Sequence, residues 1–164
     1  MSGGTRIHEL IPHQGAMCLL DEIATWDRDR IICRARTHLS PDNPLRVEGR
    51  LGALCGVEYG LQAAALHGAL AAGGEQQKPG FLASLRDVVL AVERLDDPEF
   101  GALEVEASCE LSDRSGLVYS FVLRASSGCV LISGRAAISL QSSASWQAHG
   151  SGQRPARGQA KPGH

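Results

Sequence analysis

Residues 52–72, GALCGVEYGLQAAALHGALAA, restrict the fold of this chain more than any other stretch. Ala, Leu, Val and Gly supply most of it, and its larger polar side chains are Glu58, Tyr59, Gln62 and His67. The stretch reads as one helix over about residues 51–72, apolar around almost its whole circumference, with Gly73-Gly74 as its C-terminal stop. A helix of that kind must be covered on nearly every side.

The rest of the chain supplies the cover. Upstream, AMCLLDEIATW and RIICRARTHL are apolar-rich runs joined by the polar break Asp27-Arg28-Asp29, which reads as a β-hairpin. The loop SPDNPLRVEGR, rich in Pro, Asn, Asp and Gly, leads into the helix. Beyond GEQQKPG come four strand-like runs, FLASLRDVVLAVERL, ALEVEASCEL, LVYSFVLRAS and CVLISGRAAISL, separated by the turn segments DDPEFG, SDRSG and SSG. Leu103, Val105, Ala107 and Cys109 alternate with polar residues, whereas residues 118–123 are apolar on both faces, as in a central strand covered by a helix. Two strands, one long apolar helix and four strands predict an α+β domain in which a curved antiparallel sheet wraps a central helix, with a partner subunit completing the cover. This is the hot-dog fold, expected over residues 1–140. Residues 141–164 are Ser, Gln, Gly, Pro, His and basic residues with Trp146 as the one large apolar side chain, so a disordered tail is expected there.

Composition narrows the function classes. A formal net charge of −2 gives no overall attraction to nucleic acid or anionic lipid, and 4% aromatic residues is too few for a base-stacking platform. No uninterrupted apolar run reaches membrane-spanning length and the N-terminus lacks a signal-peptide layout, so a cytoplasmic protein is expected. The five cysteines are odd in number, widely spaced and without CxxC or Cys/His ligand spacing; they read as small core residues, with no metal site.

Two polar residues stand out. His13 lies between Pro12 and Gly15 just before the first strand, a frame that can aim its ring, though a solvated loop histidine would look the same. Glu58 is set in the apolar helix, where burial disfavours the charged form and would leave a carboxyl able to give up a proton near neutral pH. A structural pairing with an Arg is the other reading. Gln62, four residues on, shares its helix stripe and could orient the carboxyl. Gly52, Ala53 and Leu54 fall in the expected first turn, whose amide N–H groups lack intrahelical acceptors and could hold a developing oxyanion.

PHQGAMCLLDEI together with GRLGALCGVEYGLQAAALHGAL resembles the β-hydroxyacyl-acyl-carrier-protein dehydratases, in particular the subgroup associated with aryl-polyene pigment clusters. The resemblance covers about residues 7–140. It implies a catalytic histidine at His13 and a catalytic acid at Glu58, with Gln62 positioning the acid. It also implies a twofold assembly, homodimer or heterodimer, in which the histidine of one subunit meets the carboxylate of the other. The housekeeping members carry Gly-His-Phe-Pro-Gly and a second Pro-Gly before the helix; this chain has SPDNPLRVEGRLGAL, with Ala53 where glycine is usual.

The implied reaction is elimination of water from a 3-hydroxyacyl thioester by base and acid, with no cofactor beyond the phosphopantetheine that carries the substrate. An acyl-carrier protein is the implied partner. Arg46, Arg50 and Arg86 are candidates to meet its acidic surface or the phosphopantetheine phosphate. Two other activities fit the same scaffold: a thioesterase in which Glu58 activates water, and a non-catalytic acyl-binding subunit.

Overall fold

The structure, a computed structural model, describes residues 7–13, 15–74 and 80–140; the expected tail, residues 141–164, lies outside them. A short helix α1 (Ile7–Leu10) precedes a hairpin of β1 (Glu22–Trp26) and β2 (Arg30–Ala35). The long helix α2 (Gly56–Ala71) follows, and then β3 (Phe81–Leu90), β4 (Leu103–Ser112), β5 (Gly116–Arg124) and β6 (Val130–Ser139). All six strands belong to one antiparallel sheet in the order β1-β2-β4-β5-β6-β3. No described helix is long and apolar enough to cross a membrane.

The expected order of elements is the observed one, and the sheet packs on α2. Ile31, Cys33 and Ala35 of β2, Leu103, Val105 and Ala107 of β4, and Tyr119, Phe121 and Leu123 of β5 form its buried face. The helix comes close because glycine stands at two of its contacts with the sheet: a Cβ at Gly60 would lie 2.6 Å from Phe121 Cγ, and one at Gly56 would overlap Ile132 Cδ1. At its C-terminus Gly73 and Gly74 take φ of 82° and 85° and return N–H bonds to Leu70 and Ala69, a Schellman cap.

Boundaries differ from the sequence reading where a distant partner intervenes. The helix starts at Gly56, later than expected, because the chain before it is tied by an isolated bridge to the segment after β3. Gly52 bridges Arg94, with Ala53 N–H donating to the Glu93 carbonyl at 3.0 Å and Leu95 N–H to the Leu51 carbonyl at 2.9 Å. For the same reason the strand expected through Leu95 ends at Leu90. Residues 16–21, read as strand, instead hold a 3-10 turn (Gly15–Met17) and an extended lead-in that buries Leu19 and Leu20. All five cysteines are unbonded, and only Cys33 is fully buried; Cys129, read as core, is exposed in the β5–β6 turn.

One stripe of α2 stays partly uncovered. Glu58, Leu61 and Ala65 are half-buried along it, while the rest of the helix up to Ala69 is buried and only its last two residues, Leu70 and Ala71, are also partly or fully exposed.

Candidate active site

His13 and Glu58 meet. The imidazole Nε2 lies 3.1 Å from Glu58 Oε1, and the two side chains are 28% and 31% exposed. Here both belong to the same chain, whereas the family resemblance implied a histidine of one subunit meeting the carboxylate of the other. Glu58 is also less buried than the helix composition suggested, because it sits at the head of the uncovered stripe.

That stripe is one wall of a cavity of about 390 Å³ lined by Leu10, Pro12, His13, Glu58, Leu61, Ala64, Ala65, Ala69, Gly80, Leu82, Leu117, Ile138 and Leu140. Among the described residues His13 and Glu58 are its only ionisable lining groups, so the described lining has one reactive corner and is otherwise apolar.

The segment carrying His13 is anchored on both sides. Before it, Ile11 is buried and its N–H bonds to the Ile7 carbonyl. After it, Gln62 clamps the backbone: Gln62 Nε2 donates to the Met17 carbonyl at 2.7 Å and Gln62 Oε1 accepts from Leu19 N–H at 2.9 Å. Gln62 thus holds the histidine segment, where the sequence reading had it orient Glu58. The Leu19 carbonyl is held as well, by Thr37 Oγ1 at 2.6 Å. Since Thr37 donates there, its oxygen accepts from Tyr59 O–H at 2.9 Å, and Tyr59 in turn accepts from Asn43 Nδ2 at 3.0 Å. Burial pushes the Tyr59 phenol above its ordinary pKa, which keeps the donor on this chain of bonds in place.

Asn43, Thr37 and Tyr59 were not singled out from sequence. Tyr59 and Asn43 carried a signal, a polar tip in an apolar helix and an Asn amid prolines, but their meeting at Thr37, which alone reaches the Leu19 carbonyl, is legible only in three dimensions.

Gly52, Ala53 and Leu54 do not line the cavity. They precede α2, Ala53–Cys55 forming a 3-10 turn, and the Ala53 N–H already bonds to Glu93, so the expected oxyanion donors are not brought to the acid–base pair. Arg46 is likewise withdrawn from any carrier. Its guanidinium is internal, donating to the carbonyls of Ser40, Gly49 and His38 and to Asp96 Oδ2 at 2.8 Å. Asp96 is nearly buried, and the Arg94 guanidinium beside it holds its carboxyl well below the usual carboxylate range. Arg50, 3.5 Å from the Glu93 carboxylate, and Arg86 on β3 are exposed cations outside the cavity wall.

Of the remaining histidines, His67 is a core residue: Nε2–H donates to the Asp27 carbonyl and Nδ1 accepts from Tyr119 O–H. His38 is fully buried, and burial pushes its pKa down to about 4. Among the described residues no three His, Cys, Asp or Glu side chains come together as metal ligands.

A family model of ApeP-like proteins, described as ApeP dehydratase, matches residues 5–155. The chain belongs to the ApeP-like dehydratase family. The match runs past residue 140 into the stretch read as tail. Among solved structures, the dehydratase is similar to the dehydratase heterocomplex ApeI:P from Xenorhabdus doucetiae, with a TM-score of 0.74 and 18% identity over 87% of this chain and 95% of that one. It is also similar to a hypothetical thioesterase with coenzyme A from Streptococcus pneumoniae TIGR4 (TM-score 0.53, 13% identity, 72% of this chain and 83% of that one). Zebra fish thioesterase superfamily member 2 is similar in the same way (TM-score 0.55, 11% identity, 73% and 80%). At these identities the structures share the hot-dog fold with this chain; the two thioesterases speak to its architecture alone. No curated protein matches it in sequence.

Proposed function

We propose that this dehydratase removes water from a 3-hydroxyacyl thioester, borne on the phosphopantetheine of an acyl-carrier protein, to give the trans-2-enoyl thioester. The observation that carries the proposal is the 3.1 Å contact between His13 Nε2 and Glu58 Oε1 in the one polar corner of an apolar cavity. His13 Nε2 takes the proton from the carbon next to the thioester carbonyl, and the C–H electrons become the new double bond. The C–O bond to the hydroxyl breaks as Glu58, protonated, gives its proton to the departing oxygen, which leaves as water. Base and acid atoms this close act on the same face of the substrate, so the elimination is syn. Their contact also resets the site: the imidazolium returns the captured proton to the carboxylate. The atoms balance without a further reactant, and no cofactor beyond the carrier's phosphopantetheine enters the scheme.

The partner is proposed from the sheet. β3 is an edge strand whose Phe81, Leu82, Val89 and Leu90 are exposed and whose only charges are Arg86 and Asp87. Long apolar edges are protected by pairing, and the similar structure is a complex of two dehydratase subunits. A second hot-dog subunit, a copy of this chain or a different one, covers that edge in our reading. Arg50 and Arg86 remain candidates for the acidic carrier, and the reaction is placed in the cytoplasm.

The test is turnover of a 3-hydroxyacyl thioester by the purified chain, followed through the absorbance of the conjugated enoyl product. His13→Ala and Glu58→Gln should each abolish it while leaving the fold intact; full turnover by either variant ends the proposal. A free-thiol assay run alongside separates dehydration, which liberates no thiol, from hydrolysis. One observation favours a second reading, a binding subunit that does not turn substrate over alone: residues 52–54 leave the cavity without the expected oxyanion donors. That reading requires carrier binding without product, both for the chain alone and with its catalytic pair intact.

A further inference from the structure

The cavity has a direction. From Glu58 its helical wall follows one stripe of α2 through Leu61 and Ala65 to Ala69. Ala69 stands three turns beyond Glu58, roughly 16 Å along the axis at about 1.5 Å per residue. Facing this stripe is a cross-strand row: Leu82 on β3 is in register with Ile138 on β6, and Ile138 with Leu117 on β5. The row is tight at Gly80, where a Cβ would come within 2.5 Å of Ile138 Cγ2. Among the described lining residues no side chain beyond the His13–Glu58 corner is ionisable or hydrogen-bonding, so along this wall selection acts through size.

We propose that Ala69 is the length gauge of the acyl pocket: its methyl group, buried and farthest down the helix of the lining residues, sets how far an acyl tail can run from the reacting corner. The inference rests on the reading of this cavity as the acyl site. An extended chain advances about 1.2 Å per bond, taken from the reach of extended backbone, so on the order of twelve bonds fit between Glu58 and Ala69. A larger side chain at this position fills the last part of that path and leaves the acid–base pair three turns away untouched.

The experiment compares Ala69→Leu, the milder Ala69→Val, and Leu140→Ala, which enlarges the cavity beside Gly80. Two quantities are read against tail length: kcat/KM for 3-hydroxyhexanoyl and 3-hydroxytetradecanoyl thioesters, and binding of the saturated hexanoyl and tetradecanoyl thioesters, which cannot dehydrate. Each methylene excluded from an apolar pocket costs about ten- to a hundredfold in discrimination. The tetradecanoyl-to-hexanoyl ratio should therefore fall by at least about tenfold in Ala69→Leu, fall less in Ala69→Val, and rise in Leu140→Ala. An unchanged ratio in folded Ala69→Leu and Ala69→Val overturns the gauge. A shifted binding ratio with no enoyl product from any chain, wild type included, supports the gauge and overturns the dehydratase chemistry.

Discussion

Glu58 and Gln62 lie one helical turn apart and act in opposite directions, the carboxylate reaching His13 itself and the amide reaching the backbone beyond it. Replacing Gln62 with Leu leaves the Met17 carbonyl and the Leu19 N–H without partners in a buried place, which costs about 2–4 kcal/mol. Urea unfolding should register that loss, and kcat should fall with it because the ring of His13 is no longer held; an unaltered midpoint would show that the clamp is idle. His38 makes a separate prediction. Its folded pKa of about 4 lies below the ordinary histidine value, so the unfolded chain takes up a proton first as the pH falls. The stability this neutral ring contributes is therefore complete above about pH 6.5 and is lost on the way down to pH 4, on the order of 3 kcal/mol. Unfolding midpoints measured between pH 7.5 and 4.5 should drop, and His38→Leu should flatten that drop. Glu58 stood out in the sequence as a carboxylate in an apolar helix, whereas His13, framed by Pro12 and Gly15 but otherwise like a solvated loop histidine, stood out only through the family resemblance. The fate of Ala53 was not legible there, since its N–H is taken by Glu93, on a segment that follows α2 and a whole strand.

At the scale of elements, α2 depends on absent side chains. Gly60→Ala sets a methyl 2.6 Å from the ring of Phe121, which is itself held against Gly134, so the ring has little room to yield. Overpacking of this kind costs about 1–3 kcal/mol, and a lowered thermal midpoint would report it. If Gly60→Ala melted with the wild type, the close approach would not be what seats the helix. The strand-helix-strand order was readable because each run has its own period, 2 in β4 and β5 and an all-round apolar 3.6 in α2. The neighbour order in the sheet was not readable. β3 joins β6, the last strand, rather than β4, its successor in the chain, and no local pattern in Phe81–Leu90 carries that choice. The helix start also escaped, because the 51–55 stretch is as apolar as the helix, yet Gly52 is held extended by its bridge to Arg94 and Ala53–Cys55 turn as a 3-10 helix before α2 begins.

For the whole molecule the informative surface is the β3 edge. Val89→Lys places a charge on it without touching the cavity wall, and should shift the assembled protein toward monomer in size-exclusion chromatography with light scattering. Assembly identical to wild type would locate the subunit contact elsewhere. The contact between residues 13 and 58 inside a single chain bears on any such oligomer. Mixing His13→Ala protein with Glu58→Gln protein, under conditions in which subunits exchange, should restore nothing, because neither polypeptide can lend the other its missing half. Intersubunit rescue would instead be the signature of a shared centre. On the arrangement described, a mixed pair holds as many working centres as it holds intact copies of this polypeptide, so dosage, not pairing, governs its output.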